Sequence, residues 1–307
     1  MQRQLCFHRD FRRYSGGHGK VWDYFRHAEA HPAWEARVYL APGSVDADNP
    51  WRAHPRVRIA PDWPVPGADA LFLGGLDWEA WPADLPARPV INLVQHVRHG
   101  DPADPRFAFL SRRAVRICVS QAVADAILAS GRVNGPVRVI EAGLELPAPP
   151  TAAPRDEAVF IGALKQPVLG RALAAELQAR GRRVLLADHW QARADYLRQL
   201  GSCTVAVLLP NPTEGFYLPA LEAMALGTAV VVPDCLGNRA YLQPGSNARV
   251  PAAEVVALAA AVAELDDPAS RARAVEAGHA TAARFGLARE RRAFHAILDD
   301  LDALWRA

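Results

Sequence analysis

The chain has 307 residues, half of them hydrophobic, with 35 basic and 33 acidic side chains. That length and apolar content fit two globular domains of ordinary size and exclude a disordered chain. With a net charge of +2, and 18 basic against 16 acidic residues over positions 1–150, no half carries the basic excess of a nucleic-acid binder.

Leu5-Cys-Phe-His8 predicts a first strand, and Ser15-Gly16-Gly17-His-Gly-Lys20 a Gly-rich turn before a helix from Val21. Such a turn lets backbone approach an anion closely, although the spacing of a P-loop is absent. Lys20 or Arg13 would add charge there. Arg37–Leu40 predicts a second strand, followed by a loop with Asp46-Ala-Asp48. This acid pair sits among Pro, Gly, Ser and Asn, so it reads as solvated loop rather than a metal site. Asp300-Leu-Asp302 reads as helix surface. Val57–Ile59 and Ala70–Leu73 are further strands, and Trp63, Trp78 and Trp81 cluster beside them. Clustered indoles pack a core or stack on sugar rings.

Val90–Val94 predicts a strongly apolar strand that runs into Gln95-His96-Val-Arg-His99. Ligands of open α/β sheets bind past the carboxyl ends of strands, so His96 is a candidate site residue and His99 its rival. No third ligand lies nearby to make the pair a metal site. Val115–Val119 predicts a strand, Ser120 the cap of a helix over Ala122–Ser130, and Gly131 its stop. Val137–Ile140 closes a first domain, and the four prolines of Leu146–Pro154 mark a linker. Cys6, Cys118, Cys203 and Cys235 stand far apart, which predicts neither disulfides nor a zinc site but buried thiols in a reducing compartment. The N-terminal residues lack a signal-peptide core, and no apolar run approaches the ~20 residues of a spanning helix. The expectation is a cytoplasmic protein with at most peripheral contact at the inner membrane. Of the basic residues, 33 are Arg, which with the abundant Ala and Pro suggests a GC-rich bacterial genome.

The second domain is predicted from strands at Glu157–Ile161, Arg183–Ala187, Thr204–Leu209 and Ala229–Val232. Helices are predicted at Glu254–Leu265, Ser270–Arg284 and Leu287–Trp305. Continuous apolar strands separated by helical segments indicate parallel sheets covered on both faces. Between Thr204–Leu209 and Ala229–Val232 runs Asn211-Pro-Thr-Glu-Gly-Phe-Tyr-Leu-Pro-Ala-Leu-Glu-Ala-Met-Ala-Leu-Gly227, a loop and one short helix. Pro219 suits the helix's first turn and Gly227 the left-handed residue past its end. Glu214 precedes the helix and Glu222 stands about one turn inside it, with roughly 8–14 Å between the carboxylates. Two carboxylates flanking a helix N-terminus that attracts phosphate would suit a nucleotide sugar.

Glu214-Gly-Phe-Tyr-Leu-Pro-Ala-Leu-Glu222, with Ala223-Met-Ala-Leu-Gly227 behind it, resembles the E-x7-E motif of retaining, family-four-type glycosyltransferases. The resemblance implies an α/β chain of two Rossmann-like domains facing a cleft, the GT-B fold. The acceptor-side domain would span 1–146 and the donor domain 155–285, with a C-terminal helix over 286–307 that crosses back. By the same resemblance Glu214 faces the transferred sugar and Glu222 binds the ribose. Gly215, Phe216, Tyr217 and Leu218 line the donor site, Gly16 and Gly17 lie near the donor phosphates or the acceptor, and His96 faces the sugar. The family also carries an Arg and a Lys for the diphosphate. Their positions here hold Ala163 and Leu169, which leaves Lys165 as a donor-binding replacement and Arg171 as another. Gly237-Asn-Arg-Ala-Tyr241 lacks the acid that follows Gly-Gly in the family. The activity so implied is retaining transfer of a sugar from a nucleotide-sugar donor to a glycan, lipid-linked or other hydroxyl acceptor. It needs no metal and no cofactor besides the nucleotide sugar itself. The alternatives are a GT-B nucleotide-sugar epimerase and an inactive nucleotide-sugar-binding or assembly protein.

Overall fold

The computed structural model describes residues 2–54, 57–63, 65–81, 87–145 and 156–307. The expected linker over 146–154 lies outside them. The chain divides into two compact units, Met1–Ala142 with Ala288–Ala307, and Gly143–Leu287.

The first unit holds β1 (Arg3–Arg9), α1 (Gly16–Glu29), β2 (Trp34–Leu40), α2 (Pro50–Ala53), β3 (Arg58–Ile59) and β4 (Ala70–Gly74). It continues through β5 (Val90–Val94), β6 (Val115–Cys118), α3 (Gln121–Leu128) and β7 (Val137–Val139). All seven strands pair in parallel in the order β3-β2-β1-β4-β5-β6-β7, a Rossmann arrangement. Phe7 of β1 stacks on Phe72 of β4 with ring centroids 4.5 Å apart and meets Phe25 of α1 edge-on at 5.2 Å. Each such buried side chain contributes about 1.5–3 kcal/mol.

The glycines before Val21 do not form a separate turn. Ser15, in extended conformation, caps α1 by accepting from the His18 N–H at 3.3 Å, and the helix starts at Gly16. A hydroxyl satisfying one of the orphan N–H groups offsets the poor helix propensity of glycine. Tryptophan packing wins over sugar stacking for Trp78, which is buried, while Trp63 and Trp81 pack against the same core.

The second unit holds β8 (Asp156–Gly162), α4 (Pro167–Ala179), β9 (Arg183–Ala187), α5 (Arg193–Ser202) and β10 (Cys203–Leu208). After these come α6 (Leu218–Ala225), β11 (Ala229–Val231), α7 (Val255–Ala263) and α8 (Pro268–Ala283). Its four strands run parallel in the order β11-β10-β8-β9. Along β10, Ala206 and Leu208 enter one core and Val205 and Val207 another, so both faces of the sheet are covered. That explains why the strand reads as an unbroken apolar run. All four cysteines are free and buried. Burial pushes the thiols of Cys6 and Cys118 up to about 12.

The predicted final helix is two, α9 (Leu287–Asp299) and α10 (Leu301–Arg306), parted at Asp300. Residues from Ala288 onward belong to the first unit. Phe294 of α9 meets Tyr24 of α1 edge-on at 4.9 Å. Beside that contact the buried Lys20 ammonium lies 2.8 Å from Asp23 and 2.8 Å from Glu290, while His27 Nε2 is 3.0 Å from Glu290. Lys20 is therefore a bolt between helices, not a charge offered at the start of α1. Burial works against the ammonium, but Glu290 and Asp23 outweigh it and raise its pKa. Among the described residues, no helix is long and apolar enough to cross a membrane.

Candidate functional site

In the second sheet, β9 lies on one side of β8 while β10 and β11 lie on the other. The order of connection reverses there, so the switch point, where open α/β sheets bind ligands, falls between the carboxyl ends of β8 and β10. Two loops meet at it. The Leu209 N–H donates to the Gly162 carbonyl at 3.0 Å, and Gln166 Nε2 donates to the Pro210 carbonyl.

Glu214 sits in the loop after β10. Its N–H donates to the Asn211 carbonyl at 3.2 Å, and its Oε1 accepts from the Asn211 N–H at 3.4 Å. The exposed Lys165, from the loop after β8, holds its ammonium 3.6 Å from Glu214 Oε1. Lys165 and Glu214 are thus brought together across the switch point.

The helix after Glu214 is framed as its prolines and glycines predict. Pro219 lies in the first turn of α6. At its far end Gly227 takes φ +73°. The Gly227 N–H donates to Met224 at 3.0 Å and the Thr228 N–H to Ala223 at 2.9 Å, the paired bonds of a Schellman end. Gly237, after β11, clamps the Glu214 loop. A Cβ there would come within 2.8 Å of the Glu214 carbonyl and the Phe216 nitrogen, and the Gly237 carbonyl accepts from the Tyr217 N–H at 2.9 Å.

Glu222 is buried on α6, and both its oxygens are engaged by Arg193, the first residue of α5. Arg193 Nη1 donates to Oε2 at 2.9 Å and Nη2 donates to Oε1. Sequence reasoning missed Arg193, because nothing near it in the chain marks it as the partner of a glutamate 29 positions away. Of the other residues expected to line the donor site, Gly215 is buried and Leu218 is partly buried against the core. Phe216 packs its ring at 5.7 Å from Tyr241 and 5.8 Å from Phe285. The Tyr217 ring is buried in the core, and its carbonyl accepts from the Tyr241 hydroxyl at 2.5 Å. Phenols are costly to ionise there, and burial raises the Tyr217 pKa well above its ordinary value.

The positions of the missing basic residues are filled by core packing. Ala163 is fully buried, and a Cβ on Gly170 of α4 would stand 2.2 Å from the Ala163 Cβ. Leu169 packs into the core on the α4 side. Arg171 is committed elsewhere, donating to Asp188 at 2.7 Å. Hydrogen bonds from His189 and Arg171 hold the Asp188 carboxyl below the usual range.

In the first unit, His96 follows β5 and caps a short 3₁₀ turn at Val97–Gly100. Its Nδ1 accepts from the Arg98 N–H at 3.1 Å. That bond places the proton of the neutral ring on Nε2. His99 is buried, and burial lowers its pKa to about 3. Gly16 has open space where a side chain would be, and the Gly17 carbonyl accepts from Gln95 Nε2 at 3.2 Å. The first sheet's own switch point, between β1 and β4, holds a cluster that sequence reasoning did not anticipate. His8 Nδ1 lies 3.1 Å from buried Asp77, whose other oxygen accepts from Arg9 and, at 2.8 Å, from the Gly74 N–H. Only the final residues of β1 and the turn after β4 reveal it, and neither matches a motif. Asp46 pairs with Arg52 at 3.2 Å on the surface. Among the described residues, no group of three or more His, Cys, Asp or Glu side chains is placed to hold a metal ion.

Residues 126–267, a little under half of the chain, match the family model described as "Glycosyl transferases group 1". No curated protein sequence matches the chain significantly. Solved structures similar to it include Anabaena HepE in complex with UDP-glucose, with a TM-score of 0.75 and 16% identity over 97% of this chain and 100% of that one. Sucrose-phosphate synthase from Thermosynechococcus elongatus follows with 0.70 and 15% identity, over 98% and 100% of the two chains. The apo form of the lipopolysaccharide outer core galactosyltransferase WaaB gives 0.67 and 14%, with the same coverage. Two parallel Rossmann-like sheets in one chain, superposing on these structures along nearly their whole length, give this protein the α/β fold of the GT-B glycosyltransferases.

Proposed function

We propose that the second unit binds a nucleotide sugar at the switch point between β8 and β10, and that the protein transfers the sugar to an acceptor hydroxyl with retention and without a metal. The observation that carries this reading is the placement of Glu214 and Glu222. One stands in the loop at the carboxyl end of β10 and the other on the helix that starts there, inside the segment matching the group 1 model. In this reading Glu222 accepts from the ribose hydroxyls and Glu214 from the hydroxyls of the sugar. The N-termini of α4 and α6 face the diphosphate with their unpaired N–H groups. HepE, crystallised with UDP-glucose, points to a uridine nucleotide as the first donor to try. His96 is assigned to the sugar on the resemblance of its position, with Nε2–H as the donor group. The Glu214 carboxylate would stabilise the positive charge that develops on the oxocarbenium-like sugar, and the helix N-termini the negative charge on the departing diphosphate.

The test is a thermal-shift panel of UDP-, GDP- and ADP-sugars followed by turnover assays in chelator. A ligand at 100 times its Kd stabilises by about 2.7 kcal/mol, which such a scan resolves. Glu222→Ala is expected to weaken binding of the selected nucleotide by about 1–3 kcal/mol, the scale of lost charge-assisted hydrogen bonds. Unchanged affinity in a folded variant removes Glu222 from the site. Turnover abolished by chelator and restored by magnesium or manganese overturns the metal-free reaction. Binding without turnover across a range of acceptors favours a nucleotide-sugar-binding protein, a reading that the loss of the basic pair to Ala163 and Leu169 specifically supports.

A further inference from the structure

A nucleoside diphosphate carries two to three negative charges, and the positions from which the resembled family supplies its two cations are closed here. Ala163 is fully buried under Gly170, and the partly buried Leu169 packs against the core. No side-chain rotation recovers a cation at either place. Arg171 is held by Asp188.

One guanidinium is nevertheless present above the same strand end. Tyr196 of α5 packs its ring edge-on against Phe160 of β8 at 5.3 Å. Its hydroxyl lies 3.2 Å from where a Cβ on Gly162, the last residue of β8, would stand. Arg193 precedes Tyr196 by three residues, so the two share a face of α5. Arg193 lies one turn before Tyr196 on α5, and its guanidinium reaches to Glu222 on α6. It stands beside the switch point by a different route from the usual one, from the start of α5 instead of the loop after β8.

We propose that Arg193 is a cation that binds the diphosphate of the donor, beside the exposed Lys165 of the switch point and in place of the pair replaced by Ala163 and Leu169. The inference rests on the donor reading of the Glu214–Glu222 site. A guanidinium offers five N–H groups in a planar fork, and the Glu222 pair occupies one edge of it. The Arg193 side chain is 36% exposed, so the group is within reach of solvent and ligand, whereas Glu222 is 7% exposed. Without ligand the pair keeps a buried carboxylate compensated. With ligand, the ribose hydroxyls donate to Glu222 and the guanidinium turns its fork to phosphate oxygens, a geometry that arginine matches bidentately and lysine does not.

The experiment is calorimetric titration of UDP and uridine, with GDP and guanosine or ADP and adenosine if the panel selects those bases. It uses the full chain as wild type, Arg193→Ala, Arg193→Lys, Glu222→Gln and the Arg193→Ala/Glu222→Gln double variant. Arg193→Ala is expected to weaken the diphosphate about 10- to 30-fold, as for one lost charge-assisted contact, and the nucleoside less than threefold. Arg193→Lys recovers part of the loss. In the Glu222→Gln background Arg193→Ala still weakens the diphosphate. If Arg193 merely holds Glu222 in place, diphosphate and nucleoside fall together and the second substitution adds nothing, and the proposal is overturned. It is equally overturned if a folded Arg193→Ala binds the diphosphate as the wild type does. Wild-type protein that binds none of the three diphosphates defeats the donor reading itself, and the proposal with it. A Glu222 effect without an Arg193 effect defeats the proposal alone.

Discussion

The backbone N–H of Arg98 bonds to His96 Nδ1 and turns that ring into a donor through Nε2, whereas His99, three residues on, is sealed in the core of its unit. Their substitutions should therefore fail in different ways. His96→Ala is expected to lower kcat about 10²–10³-fold with little change in donor affinity, the scale of losing one donor aimed at developing charge. Equal losses in kcat and in binding would remove His96 from the transition state. His99 acts on stability. Its pKa is about 3 when folded and about 6.5 as an ordinary histidine, so between those values the unfolded chain binds a proton that the folded chain does not. Stability should then fall as pH drops below 6.5, by about 2 kcal/mol at pH 5 from this residue. Denaturant titrations of His99→Gln should show a flatter profile between pH 6.5 and 4; an unchanged slope would locate the effect elsewhere. Arg116 makes a related point. Its buried guanidinium donates to the carbonyls of Phe109, Leu110, Arg112, Ala114 and Asn134, with burial lowering its pKa to about 10. In the sequence it is one arginine among 33, and only the carbonyls converging on it disclose its work.

Among the elements, α4 shows how a departure from a motif is absorbed. The replacement of a basic residue by Ala163 is visible in the sequence, but its partner Gly170 is not. Only the fold reveals that α4 closes onto the end of β8 until a methyl group meets a bare Cα. Gly170→Ala is expected to cost about 1–3 kcal/mol by overpacking, read as a drop in melting temperature. Adding Ala163→Gly should return part of it. If the double variant is no better than the single one, the contact is not the cause. The strands were legible because a parallel sheet covered on both faces must be apolar throughout, as in Val90–Val94 and Cys203–Leu208. The helix cap at Gly227 was legible because its φ of +73° favours glycine. The start of α1 was not, since Ser15 capping competes with glycine flexibility and the sequence alone does not rank them. Likewise the place of Glu222 about one turn inside α6 is legible from its spacing, but its ion pair with Arg193 joins two helices and follows no local period.

For the whole molecule, the decisive contact is the one that returns α9 to α1. Lys20, Asp23, His27 and Glu290 form a buried network in which Glu290 meets both the Lys20 ammonium and the His27 ring. Glu290→Leu leaves the buried Lys20 ammonium with Asp23 as its remaining counter-ion, so it should cost about 3 kcal/mol, the low end for a broken buried pair. Combining it with Lys20→Met should recover much of that loss, because two apolar groups replace the pair. Additive losses in chemical denaturation would show that the network is not coupled. A composition near charge neutrality discloses none of this; the pairing is set by a fold that unites residues 270 positions apart.

That separation has a consequence for how the protein is made. At about 5–20 residues per second, a ribosome reaches Glu290 roughly 15–50 s after Lys20. The second unit, an uninterrupted stretch from Gly143 to Leu287, emerges whole in the meantime. The first unit begins emerging earlier yet lacks Phe294, Ile297, Leu298 and Leu301 for its apolar core until the whole of the second unit has been made. A nascent chain therefore carries an unfinished first unit while the second is being made, and until α9 arrives that unit has apolar surface to offer a chaperone.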